Sequence, residues 1–207
     1  MKLLTNGNKK LGNNIAVWSI PSVKTCPGRT SLCEKLCYAK KFEAFRGIDY
    51  GPKLLASRSE SFVKRMVEES KWKVLVRIHA SGDFYSEGYI QDWIEIARLT
   101  PGTRYYAYTR SWRVPGLLEK LLQLKAMPNV TLMFSVDKES GVPAGVGGAD
   151  MVYMSTGDDD VPTTPTRVVF RTKRTTVRAK LGGSVVCPVE NGCKNSVTCE
   201  RCQLCFK

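Results

Sequence analysis

The sequence predicts an α/β fold: a partial or complete parallel (β/α) barrel with a cysteine-rich C-terminal extension. Three observations predict it. Short runs of branched and aromatic residues alternate with amphipathic helical patterns along the 207 residues, as strands joined by crossover helices do. Small and polar residues recur just after each run, where parallel barrels place their working groups. Eight cysteines are bunched behind the first run and at the C-terminal end. The length suits a single domain over 1–207, with a barrel-like core over 14–186 and a cysteine-rich metal-binding tail over 187–207.

The elements follow in order. NIAVWSIP (Asn14–Pro21) reads as a buried strand. A cysteine loop comes next, then a helix from Ser31 through Phe45. Pro52 opens another helical stretch, with Leu54, Leu55, Phe62, Met66 and Val67 on its apolar face. VLVRIHA (Val74–Ala80) is the second strand. Ser86 precedes a helix with Tyr89, Ile90, Trp93, Ile94 and Ala97 at helical spacing, and Glu87 suits its first turn. RYYAYTR (Arg104–Arg110) is the third strand, VPGLLEKLLQLKAM (Val114–Met127) the next helix and VTLMFSV (Val130–Val136) the fourth strand. GVPAGVGGAD is too rich in glycine for a helix. DMVYMST (Asp150–Thr156) and RVVFRT (Arg167–Thr172) give strands five and six, Thr175–Leu181 a short helix, and SVVCP (Ser184–Pro188) a last edge strand. Repeated strand–helix units imply parallel strands with right-handed crossovers.

Composition narrows the class. At 43% hydrophobic, the chain buries a core without disulfide staples. MKLLTNGNKKLGNN lacks the apolar stretch of a signal peptide, and no segment approaches the roughly 20 apolar residues that span a bilayer. These features point to the cytoplasm, with reduced thiols and no membrane partner. The formal net charge is +13, from 32 Lys and Arg against 19 Asp and Glu. The basic stretch RVVFRTKRTTVRAK (Arg167–Lys180) suits a nucleic acid, a small anionic ligand or a solvated face. No helix-turn-helix, zinc-finger or RNP signature accompanies it.

The cysteines carry the sharpest signal. Cys26, Cys33 and Cys37 lie in TCPGRTSLCEKLCYAK; Cys187, Cys193, Cys199, Cys202 and Cys205 lie in CPVENGCKNSVTCERCQLC. Bunched thiols favour a soft metal, because nearby ligands lower the ordering cost. An even count also permits disulfides, which belong to small secreted domains. Cys199-x2-Cys202-x2-Cys205 reaches three corners of an iron–sulfur cube from one turn of backbone. Zinc is the alternative for the tail. The N-terminal trio, with gaps of six and three, fits no zinc ribbon and suits a cubane with one open iron. Eight thiolates serve one or two [4Fe-4S] clusters; their partition is not written in the spacing.

The strand ends supply the other candidates. His79, the one histidine, is a proton donor or a core imidazole; alternation places it on the face of Arg77 and Ser81. Asp83 is an acceptor for an amine or ribose hydroxyl, or a turn carboxylate. Arg110 and Arg171 are forked clamps for a carboxylate or phosphate, or partners of structural carboxylates. Asp158–Asp160 suits a hard cation or a solvated loop.

Through CPG-x4-C-x3-CYAK, R-x-H-x-SGDFYS, YAYTRSW and the terminal CP…C-x2-C-x2-C, nearly the whole chain resembles the phage gene 88 protein family. More distantly, the layout is similar to radical S-adenosylmethionine enzymes, whose partial barrels carry a three-cysteine loop after strand one. That resemblance implies Cys26, Cys33 and Cys37 as the cluster ligands, with wider gaps than that superfamily's C-x3-C-x2-C. It implies Ser81, Gly82 and Asp83 as the segment binding the methionine amine, Ser135 and Asp137 as ribose or carboxylate contacts, and the terminal cysteines as an auxiliary-cluster extension. S-adenosylmethionine is then a cofactor, and His79, Asp83 and Arg110 orient the ligand in a reductive reaction. The rival reading is a non-catalytic metal-stabilised module, iron–sulfur or zinc, that binds nucleic acid or a host protein; a simple electron carrier is a third.

Overall fold

A computed structural model describes residues 1–172, 180–190 and 197–206. One eight-stranded sheet organises them. The strands are β1 (Ile15–Trp18), β2 (Leu75–Ile78), β3 (Arg104–Thr109), β4 (Val130–Val136), β5 (Met151–Ser155), β6 (Val168–Arg171), β7 (Lys180–Leu181) and β8 (Ser184–Val186). Their order is β1-β2-β3-β4-β5-β6-β8-β7. Every neighbouring pair is parallel except the β7–β8 hairpin. Because the order never reverses between β1 and β6, right-handed crossovers put every connecting helix on one side.

Those helices are α1 (Ser31–Leu36), α2 (Tyr38–Arg46), α3 (Gly51–Ala56), α4 (Phe62–Ser70), α5 (Glu87–Leu99) and α6 (Leu117–Lys125); α7 (Cys199–Cys202) belongs to the tail. Strand alternation sorts the core into two layers. Trp18, Val76, Ile78, Tyr105, Ala107, Leu132 and Phe134 point toward the helices and meet Phe62, Met66, Trp93, Ile96, Leu121 and Leu124. Ile15, Val17, Leu75 and Tyr106 point the other way, onto Leu11, Phe206 and Cys199. Met133, Val152 and Val168 do the same under Cys187, Leu204 and Cys205. The sheet is therefore buried on both faces, which is why its strands read as continuous apolar runs. α5 illustrates the local logic. Ser86 caps it by accepting from Tyr89 N, Glu87 sits in its first turn, and Arg98 in its last.

The mixed α/β class with a largely parallel sheet matches the expectation; a closed barrel does not. Among the described residues β1 pairs with β2 and, through the bridge Thr5–Val17, with the N-terminal segment, so it never meets the far edge. The predicted helix from Ser31 through Phe45 is two helices, because Cys37 leaves the helical region at ψ 108°. The stretch opened by Pro52 also divides, and Leu55, expected on its apolar face, is exposed. Ser184–Val186 is an interior strand between β6 and β7 rather than an edge. Lys180–Leu181, placed in a helix by the sequence, is β7; residues 175–179 of that helix lie outside the described residues. No helix among the described residues is long and apolar enough to cross a membrane.

Candidate metal centre and its supports

The loop of Cys26, Cys33 and Cys37 leaves the C-terminal end of β1 and is pressed against the ends of β2 and β3. Ile20 N donates to Ser81 O at 3.1 Å and Ala80 N to Trp18 O at 3.1 Å. Gly82, at φ +84°, lies flat on this loop, and a Cβ there would overlap the Ile20 side chain. Gly28 touches the end of β3, where a Cβ would overlap the Arg110 carbonyl oxygen. Arg113 Nη1 donates to Gly28 O at 2.9 Å. Gly28→Ala is expected to cost roughly 1–3 kcal/mol by overpacking a backbone-to-backbone contact; a urea midpoint equal to the parent's would contradict that contact.

One polar chain fixes the loop from below. Thr30 caps α1 by accepting from Cys33 N at 2.9 Å, and its hydroxyl donates to Asp137 Oδ2 at 2.8 Å. That oxygen also faces Arg110 Nη1 at 2.9 Å, with both side chains buried. Arg110 Nη2 donates to Ser135 Oγ at 3.0 Å. Thus β3, β4 and the cysteine loop share one buried ion pair. Burial raises the Cys26 thiol well above the ordinary range, and the charges of Asp83, Cys33 and Cys37 add to it. Burial raises Cys33 too, while the Arg110 guanidinium opposes the shift.

The remaining predicted residues are engaged inside the fold. Asp83 accepts from Thr109 Oγ1 at 2.7 Å, Arg110 N at 2.8 Å and Phe84 N at 2.8 Å. Ser81 donates to Glu43, which also holds Ser22. Ser135 receives Arg110, and its carbonyl accepts from Trp112 Nε1 at 3.1 Å. Arg171 pairs with Asp158, and Asp160 accepts from Thr156 Oγ1 at 2.7 Å and Tyr153. These bonds engage Asp83, Arg110, Arg171, Asp158 and Asp160 with neighbouring side chains and backbone.

His79 departs from the predicted face. Its φ of +62° breaks the alternation, so it turns away from Arg77 into the helix layer. There Nε2 meets Tyr89 Oη at 2.8 Å, and the ring packs edge-on against Phe84 at 4.6 Å. Burial, helped by Arg77, holds the imidazole down to about 3. A folded value below the ordinary 6.5 means the native state binds fewer protons. Its contribution is complete above pH 6.5 and fades as pH falls toward 3, by about 1.4 kcal/mol per unit. Between pH 6.5 and 4.5 the parent is expected to lose roughly 2–3 kcal/mol more than His79→Gln in urea unfolding; equal losses would show an exposed or charged imidazole.

The tail forms the second group. Cys199 N donates to Lys10 O at 3.0 Å and Glu200 N to Leu11 O at 3.0 Å. Lys10 pairs with Glu190, and Asn14 with Glu200. Gly12, at φ +99°, lets Glu200 lie against the N-terminal loop. Cys187 is buried, and Cys199, Cys202 and Cys205 are half-buried. Tyr108 and Cys205 pack against the same apolar clusters. Burial, with Glu190 adding, pushes the Cys187 thiol up to about 12, and burial pushes Cys205 up to about 11. Cys205 feels the charges of Cys199 and Cys202. Cys193 lies outside the described residues.

All seven described cysteines are free thiols, so disulfides are absent among them. No three His, Cys, Asp or Glu side chains among the described residues converge closely enough for a single metal ion. The described cysteines are soft donors of the type that an iron–sulfur cluster or zinc takes. Sequence reasoning missed Thr30, Glu43 and Lys10. Thr30 alone left a local signal, as a hydroxyl residue preceding a helical run.

The Gene product 88 family pattern matches residues 2–207. The chain belongs to that family. Among the family's relatives, the Gene 88 protein of Mycobacterium phage L5 is 29% identical over 133 residues, covering 56% of this chain and 54% of the relative. That of Mycobacterium phage D29 is 29% identical over 133 residues, covering 56% and 53%. The chain spans about half the length of the curated relatives it matches. No solved structure matches it, so the radical S-adenosylmethionine resemblance gains no support from a known fold.

Proposed function

We propose that this member of the Gene product 88 family is an iron–sulfur protein. Cys26, Cys33 and Cys37 would hold a [4Fe-4S] cluster at the strand ends, and Cys187, Cys199, Cys202 and Cys205 a second beneath the tail. The observation that carries this reading is seven free thiols in two groups, remote in sequence, one buried and six half-buried, with Cys187, Cys199 and Cys205 packed against the sheet. Neutral buried thiols gain nothing from such crowding, whereas ligation turns it into folding energy.

Bound there, the clusters would supply one-electron chemistry at a potential set by charge, hydrogen bonding and exposure. The chain's own residues do the rest. Thr30, Asp137 and Arg110 fix the loop of the trio. The trio leaves a fourth ligand position for an exogenous group. The internal bonds of Ser81, Asp83, Ser135 and Asp137 favour electron transfer or a structural cluster over S-adenosylmethionine cleavage. Reduced thiols suit the cytoplasm of a bacterial host. The nucleic-acid reading draws no support from Arg167 or Arg171, which are both engaged by the fold; residues 173–179 of the basic stretch lie outside the described residues.

Anaerobic purification followed by counts of iron, acid-labile sulfide and zinc tests the proposal. About eight irons and eight sulfides per chain are expected from two cubanes. Zinc alone, or no metal, overturns the reading. Addition of S-adenosylmethionine to the reduced protein is expected to leave its electron paramagnetic resonance spectrum unchanged; a shift would restore the radical mechanism.

A further inference from the structure

Arg77 stands near the middle of the tail face without a carboxylate. It projects from β2, between Val17 of β1 and Tyr106 of β3 in register. Its Nε is shielded from water and has no hydrogen-bond partner. Its Nη2 makes one long bond, 3.4 Å, to Tyr38 Oη. The guanidinium lies 5.4 Å from the centre of the Tyr108 ring. Among the described residues no Asp or Glu forms an ion pair with it; its surroundings are Tyr38, Tyr106, Tyr108 and Cys199. Tyr106, 1% exposed, also has a hydroxyl without a partner. A half-buried cation with a shielded, unpartnered Nε beside a buried bare hydroxyl is costly unless an acceptor joins them.

The thiols of the tail occupy the same layer. Cys199 and Cys205 pack with Tyr106, Tyr108 and Phe206, and the Tyr108 ring faces Arg77. Four thiolates on a [4Fe-4S] core carry a net negative charge in either common oxidation state. The unmet donors of the sheet and the excess negative charge of a ligated tail are therefore complementary.

We propose that Arg77 is the counter-cation of the tail cluster, a positioning residue that compensates its charge and raises its reduction potential, with Tyr106 beside it as a spare donor. This rests on the iron–sulfur reading above. It makes the tail centre distinct in character from the trio, whose neighbouring guanidinium, Arg110, is already neutralised by Asp137.

The experiment uses the full chain with Cys26, Cys33 and Cys37 replaced by serine, so that only the tail centre reports. The parent, Arg77→Gln and Arg77→Lys are purified anaerobically, their iron is counted, and each is titrated with dithionite while absorbance is followed. Removing a positive charge disfavours the more negative reduced cluster. Arg77→Gln is therefore expected to titrate at a lower potential than the parent, and Arg77→Lys between the two. Arg77→Gln that keeps its iron and titrates with the parent overturns the assignment. So does collapse of both variants with retention of fold in the parent, which marks a packing role that charge alone does not meet. Absence of iron from the unmutated full-length chain sinks the iron–sulfur reading itself, an outcome separate from an unmoved potential.

Discussion

Asp137→Ala is expected to destabilise the fold by about 3–5 kcal/mol, because it strands the Arg110 guanidinium in a buried site. The Arg110–Asp137 pair is 2.9 Å apart with side chains 5% and 0% exposed, so water cannot replace the lost carboxylate. The same substitution removes the acceptor for Thr30, the residue that caps the helix of Cys33. Two effects should therefore appear together: a lower urea midpoint and faster alkylation of Cys33. Asp137→Asn keeps an acceptor while losing the charge, and its loss should be smaller. An alanine variant within about 1 kcal/mol of the parent would mean that the pair is solvated.

Replacing Cys199 and Cys205 together by serine is expected to remove the metal of the tail. About half of the iron should disappear, with the other half, held by Cys26, Cys33 and Cys37, unaffected. Tail docking should weaken as well, since apolar contacts with Tyr106, Met133 and Val152 and the polar bonds to Lys10, Leu11 and Asn14 are what remains to hold it. Limited proteolysis is then expected to cut within the tail while residues 1–172 stay intact. Equal iron in parent and double variant would show that the tail thiols bind none. The reciprocal pair, Cys26→Ser with Cys33→Ser, should remove the other half of the iron and leave the tail resistant.

Much of the sheet was legible because its strands are buried on both faces. Ile15–Trp18 is apolar at all four positions, and no helical reading accommodates such a short run before a loop of cysteines. Closure was not legible: it depends on strand number and stagger around a whole ring, which no local pattern encodes. The break at Cys37 was hidden because LCEKLCYAKKFEAF keeps helical spacing across it, without proline or glycine. The decisive bond is tertiary, Tyr38 Oη to Ala80 O at 2.7 Å. His79 defeated alternation through one left-handed residue that nothing around it announces. The grouping of the thiols was readable as two clusters in the sequence. The partners of Arg110 and Asp83 were not, because they come from other strands at separations of about 27 positions.

The docking of the tail on Lys10, Leu11 and Asn14 has a kinetic consequence. Asn14 and Glu200 are 186 positions apart, and Lys10 and Glu190 are 180 apart. The entropy of closing so long a loop grows only logarithmically, yet such remote pairings slow folding. The parallel strands that line the docking surface must also assemble before it exists. The thiols therefore spend the slowest phase of maturation uncovered, and an oxidant arriving then would find them before their shelter is complete.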